Sequence, residues 1–424
     1  MNTSIRLIRG RRAPLVAALL LAFGAAAEAA TISVTQDTDS HLFGLCSLRE
    51  AMQSANDHAA PAGTNCVAGS GADDTVRIPF ASISLSQGSL ASTGTLRIEG
   101  TAGGGKTAVV RPPDAPAFPI FSVVSGDLTL QHLQISGGRA DFAGYGGGGG
   151  ISSNATLTLI DSMVSGNSSA TNGGGGGIYS VGPLTLIDST VSGNSAESAT
   201  SWGGGIAAKY PVSVIDSTIS GNSAVNAGGG MAIFGLANPT LMISNSTVAG
   251  NSVSQGNAGG IFVNIDTVAT ISNSTVAFNT TNASGTGAGI FVNGGNYGDG
   301  QLALSSTLVS GNLSGKYTQD IAAATSITVS GSRNLARVWS AQITLPNDTL
   351  TCSADVAALG DNGGPTQTVR LLANSCAIDG GARNTLQYDQ RGAGFARVVG
   401  ANADIGAFEY TDVIFANGFD GADP

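Results

Sequence analysis

Apolar and small polar residues alternate in short bursts along most of this chain. Leu184-Thr185-Leu186 is followed by Val191 and then Ile206, with Ser, Thr, Asn and Gly crowding the joins. An alternation of period two marks strands with one buried face, and the scarcity of helix formers argues against a helical repeat. The bursts recur. LIDSTVSGN (186–194) has close copies at 159–167, 214–222, 242–251 and 270–279, and a degenerate one, LQHLQISGG, at 130–138. The phrases end on Asn167, Asn194, Asn222, Asn251, Asn279 and Asn312, in steps of 27, 28, 29, 28 and 33 residues. A second marker, Gly-Gly-Ile or a close variant, ends at Ile151, Ile178, Ile206, Met231, Ile261 and Ile290.

Self-similarity at this period signals a stacked repeat. Leucine-rich repeats need a denser leucine pattern, and propeller blades are usually longer. The pattern predicts an all-β, right-handed parallel β-helix of the pectin-lyase type, one coil per unit of about 28 residues. Seven copies stacked at the strand spacing would give a rod section of roughly 34 Å. Like residues would then fall in columns, with Leu186, Ile215 and Ile243 as neighbours in an interior stack. The asparagines would form a ladder at a turn, their amides bonding one another and the backbone. Glycine before most of them permits a positive φ at the corner. The glycine runs 146–150 and 173–177 read as a crowded corner; phosphate cradling would need a motif that is missing here.

The ends of the chain break the pattern. Residues 1–29 combine Arg6, Arg9, Arg11 and Arg12 with an apolar core, Leu15 to Phe23, and a small-residue site at Ala27 and Ala29. This reads as a secretory signal peptide, which places the protein outside the cell or at its surface. No other stretch is apolar for the roughly 18 residues of a membrane helix. Residues 30–74 contain CSLREAMQSAND, where Ser47 and Glu50 match a capping box. Leu48, Ala51, Met52 and Ala55 fall on one helical face, so a short amphipathic helix is predicted to cover the first coil. Residues 75–312 carry the coils, 313–410 supply the last irregular ones and a C-terminal cap, and 411–424 form a tail of unassigned role.

Charge narrows the partners. Residues 1–29 hold four arginines and Glu28, so without them the formal charge moves from −10 to −13. That balance disfavours nucleic acid and anionic membrane surfaces. It suits a monomeric exported protein whose partner is a cell-surface or extracellular polysaccharide or protein. Four cysteines in an exported chain suggest disulfides. Sequence proximity favours Cys46–Cys66 and Cys352–Cys376 among three connectivities.

Three stretches resemble known families. CSLREAM (46–52) resembles the CSLREA domain at the start of exported bacterial β-helix proteins. GGGI (203–206) and VAFN (276–279) resemble the GGAI and FxxN repeats of chlamydial polymorphic outer membrane proteins. DNGGPTQT (361–368), CAIDGG (376–381), DQRG (389–392) and DIGAFE (404–409) are similar to the choice-of-anchor Q region of bacterial surface proteins. Cys376 stands where that family commonly has proline, which supports a local disulfide with Cys352. The resemblances imply export, a β-helical body and a surface location, and no reaction.

Catalysis has one main candidate. Asp161, Asp188 and Asp216 occupy one position of consecutive repeats, and Asn245 and Asn273 follow. Carboxylates about 5 Å apart on neighbouring coils, or about 10 Å on alternate ones, overlap glycosidase spacings, and such a column would also offer Ca²⁺ oxygen ligands. Every repeat, however, has a carboxylate or its amide mimic there, the mark of a turn residue accepting backbone N–H bonds. A lyase needs a base and positive charge for a uronate, yet Lys209 is the only basic residue from Gly146 to Asn312. His41, His58 and His132 show no metal-ligand spacing and read as surface or turn residues. Asp379, Asp389, Arg391 and Asp404 read as an ion-paired cap before an ion site. Trp202, Tyr210, Tyr145 and Tyr179 are candidates for stacking on sugar rings. The leading expectation is therefore a non-catalytic adhesion or interaction protein without catalytic residues, cofactor or metal. The alternative is a lyase, hydrolase or carbohydrate-binding protein of the same fold.

Overall fold

The computed structural model describes residues 28–101, 105–141, 146–235, 239–264, 267–282, 284–294 and 301–411. Residues 1–27 of the signal-peptide reading, Tyr145 and residues 412–424 lie outside them. The chain winds into a parallel β-helix. Each regular coil contributes one short strand to each of four sheets; in one coil these are Ile178–Ser180, Leu184–Ile187, Thr190–Ser192 and Ser195–Ala196. The four sheets hold 9, 11, 10 and 8 strands respectively. Strands of the regular coils pair in parallel without register shifts, Leu157 with Leu184, Val212 and Leu241 in turn, so identical positions stack along the axis.

Alternation decides what is inside. Leu159, Leu186, Val214, Ile243, Ile271 and Leu304 form one continuous interior column, each without solvent exposure. This corrects the expectation for Ile215, which pairs with Ile187 and Ser244 and is only half-buried. With a side-chain period of two, a slip of one residue moves a position to the other face, and Val214 is the inward partner of Leu186.

The asparagines occupy the corner between the 10- and 8-stranded sheets. Asn194 Nδ2 donates to Asn222 Oδ1 at 2.9 Å and to the Val164 carbonyl at 2.9 Å, while its backbone N–H donates to the same Oδ1 at 3.0 Å. The arrangement repeats from Asn167 to Asn312, where Asp320 Oδ1 takes the place of the next amide. The glycine markers belong to this same corner. A Cβ on Gly177 would lie 2.9 Å from the Asn194 amide, and one on Gly205 2.9 Å from that of Asn222. The two recurring phrases are thus two halves of one packing contact.

At the N-terminal end, Leu48–Asp57 is an α-helix with both bonds of the Ser47–Glu50 capping box. It packs on the strands Thr31–Ser33, Asp74–Arg77 and Leu90–Ser92 and buries Leu48, Ala51, Met52 and Ala55. Cys46–Cys66 ties its entry, and Cys352–Cys376 closes a second loop. Residues 313–350 continue the coils. The segment after Cys352 lies elsewhere than a cap over the end of the rod: it runs along the flank of the 10-stranded sheet. Gln390 donates to the Ser217 carbonyl and Thr218 Oγ1 and accepts from Thr247 Oγ1, and Ala407 N donates to Thr275 Oγ1. The outward positions Ala249 and Ala277 are buried beneath Val369 for this reason. Flank and end were indistinguishable in sequence because the contacts span about 130 to 170 residues.

Candidate functional site: a column of carboxylates at a left-handed turn

Only two residues join the strands of the 11- and 10-stranded sheets in a regular coil, as Asp188-Ser189 does. So tight a corner requires a left-handed residue, and Asp and Asn tolerate that region better than most non-glycine types. The φ angles run His132 56°, Asp161 41°, Asp188 49°, Asp216 49°, Asn245 52°, Asn273 47° and Ser306 49°. The next residue turns inward. Ser162, Ser189, Ser217, Ser246 and Ser274 are fully buried; Ser189 Oγ donates to the Ile187 carbonyl at 2.7 Å and accepts the Ser162 N–H at 3.1 Å. This serine ladder was missed in the sequence, although the Asp-Ser pair recurs in plain view.

The carboxylates themselves face outward and differ in their partners. Asp161 accepts from Lys106 Nζ with one oxygen and lies 2.8 Å from His132 Nδ1 with the other. The Asp188 carboxylate has no hydrogen-bond partner among the described residues, and burial first, then the charge of Asp161, pushes its pKa up against the pull of Lys106. Asp216 is raised from 3.8 to about 6, chiefly by burial and further by the charges of Asp188 and Asp389, against a bond from Asn245. That bond is 2.6 Å long, and Asn245 Nδ2 also lies 3.3 Å from the Tyr388 carbonyl. Thr366 Oγ1 donates to the Asp216 backbone carbonyl at 3.3 Å. The flanking C-terminal segment therefore lies over the Asp216 end of the column.

One expectation needs correction. Among the described residues no backbone N–H donates to the side chains of Asp161, Asp188 or Asp216; their role in the turn is the left-handed backbone itself. Lys106 and His132 were also missed. Lys106 lies 55 residues before its partner. His132 had a usable signal, since it holds in LQHLQISGG the place of Asp188 in LIDSTVSGN. His41 pairs with Glu50 at 2.5 Å, and His58 is the left-handed C-cap of the helix.

Chemically, the column is a poor acid–base pair. Both oxygens of Asp161 are engaged, Asp216 is bonded and overlaid, and Lys106 and His132 are directed at Asp161. Among the described residues no group of three or more His, Cys, Asp or Glu side chains is placed to hold a metal ion. The C-terminal charges are consumed similarly. Arg391 forks onto Asp389 between the rings of Phe395 and Phe408, and Asp404 accepts the N–H groups of Asp379 and Tyr410.

The aromatics are distributed differently from the expectation. Tyr210 stands exposed and apart. Trp202 and Tyr179 instead join Phe234, Phe262 and Phe291 on the outer face of the 9-stranded sheet. Tyr179, Phe262 and Phe291 each follow the isoleucine of the Gly-Gly-Ile marker, the signal that would have found them.

Among the described residues no helix is long and apolar enough to cross a membrane. No protein-family profile matches this chain. No curated protein matches it either. Among solved structures it is similar to the crystal structure of pectate lyase Pel9A, with a TM-score of 0.50 and 16% identity, covering 91% of this chain and 98% of that one. At that identity the likeness is one of fold: the chain is an all-β parallel solenoid of the right-handed, pectate-lyase type.

Proposed function

We propose that this chain is an exported, non-catalytic β-helical rod that acts in adhesion or surface interaction. The observation that carries the reading is the engagement of the carboxylate column. Of its three aspartates, one is ion-paired, one is bonded and covered, and the carboxylate of the third is hydrogen-bonded to no base or cation among the described residues. The two disulfides suit an oxidising, extracellular compartment. The resemblance of residues 46–52 and 361–409 to exported surface proteins supports the same location. The partner class is a surface or extracellular polysaccharide or protein, engaged by a monomer without cofactor.

A retention assay tests this directly. Purified residues 30–424 are incubated with cells of the source organism, and with extracellular polysaccharide and protein matrices. Saturable retention, unchanged by chelators or by Asp188→Asn, is the expected result. Absence of retention on every surface would contradict the proposal.

A further inference from the structure

The aromatic face of the 9-stranded sheet has features that neither packing nor the carboxylate column uses. Tyr179, Ala207, Ala232, Phe262 and Phe291 stack on consecutive coils at its outward position. Trp202 joins them from the glycine-rich corner, where Trp202, Ala227 and Asn257 form their own parallel bridges. Its ring meets Phe234 edge-on at 4.6 Å and Phe262 at 5.9 Å, and Phe262 stacks on Phe291 at 5.8 Å. Beside them opens a groove of about 340 Å³, whose polar lining comes from Asn226, Asn257 and Asn293.

Three properties define what fits. Among the described residues the lining is aromatic and amide, with no carboxylate, lysine, arginine or histidine, and Lys209 lies over the Tyr179 and Phe234 rings at 5.8 and 5.9 Å, outside this lining, so a charged ligand would lose hydration without a counter-charge in the groove itself. The Trp202 indole N–H is buried and has no acceptor among the described residues, an unsatisfied donor that a hydroxyl would relieve. The amides also keep capacity in reserve. Asn257 accepts from Thr286 through Oδ1, and Asn293 donates to Asn264 through Nδ2, which leaves an NH₂ and a carbonyl oxygen respectively. The half-buried Trp202 ring, flanked by uncharged donors and acceptors, matches the apolar face and hydroxyl edges of a sugar ring, while Phe262 and Phe291 are themselves buried.

We infer that this groove is a binding site for a neutral oligosaccharide lying along the rod. The inference rests on the interaction reading above and gives it a place and a ligand class. The sequence has two tryptophans, so Trp339→Phe leaves Trp202 as the sole emitter. This protein is titrated with neutral hexasaccharides of glucose, xylose, mannose and galactose, and with hexagalacturonate. A saturable change in Trp202 emission with a neutral sugar is expected, with the acidic hexamer at least about tenfold weaker. Replacing both rim amides, Asn257→Ala with Asn293→Ala, weakens binding about tenfold while the thermal midpoint is kept. No change with any neutral sugar up to about 20 mM, or equal binding of hexagalacturonate, overturns the inference. If the sugars fail while the protein is still retained on surfaces, the groove assignment falls and the rod reading stands.

Discussion

Asp216 shows how one residue type serves a corner and strains it at once. Aspartate suits the left-handed turn, but here its carboxylate is half-buried beneath Tyr388 and Thr366 and stacked near Asp188, so its pKa is raised from 3.8 to about 6. The ionised form is disfavoured in the folded chain relative to the unfolded one. This contribution is therefore absent below about pH 4, reduces stability as pH rises from about 4 to about 6, and is constant above that. Asp216→Asn removes it, and Asn245 and Asn273 show that an amide occupies the same φ. Urea unfolding of the variant is expected to show a gain on the order of 1–2 kcal/mol at pH 8, after allowance for solvent screening, and none at pH 3.5. A loss at pH 8 would mean that the carboxylate is needed.

At the scale of the element, the unit is a column and not a strand. Strands of two to five residues have little stability alone, but each coil lends its neighbours backbone bonds and one rung of the asparagine and serine ladders. Asn222 is the clearest test. Its Oδ1 accepts both the N–H and the side-chain amide of Asn194, and it is fully buried. Asn222→Ala leaves two buried donors unpaired and opens a void against Gly205, so a loss of about 3 kcal/mol is expected in denaturant unfolding. A loss below about 0.5 kcal/mol, the usual range for surface changes, would show that the ladder is ornamental. Much of this was legible in the repeat: the strands, the coil length and the recurrence of Asn all follow from local period. The register error at Ile215 has a simple cause, because Val214 and Ile215 are both β-branched and apolar and only pairing says which faces inward. The coupling of Gly-Gly-Ile to Ser-Gly-Asn was not legible, since the contact crosses the coil's interior corner.

At the scale of the molecule, the regular body is flanked by two parts that local period does not describe. The N-terminal helix covers strand ends whose free edges would otherwise invite pairing with another chain. The segment after Cys352 is built on buried ion pairs, Arg391 with Asp389 above all, and is fastened to the flank through Gln390. Neither its place nor its cover over the Asp216 end was readable, because those contacts join residues far apart in sequence. The aromatic groove was half-readable: Trp202 and Tyr179 stood out in the sequence, whereas Phe262 and Phe291 did not. Across these scales, recurrence in this chain reports scaffolding. The most direct test is release of reducing ends, and of unsaturated products, from a panel of neutral and acidic polysaccharides, with and without Ca²⁺, by the native protein and by Asp188→Asn. The account predicts no turnover by either protein in any condition; turnover by the native protein that disappears in Asp188→Asn would contradict it.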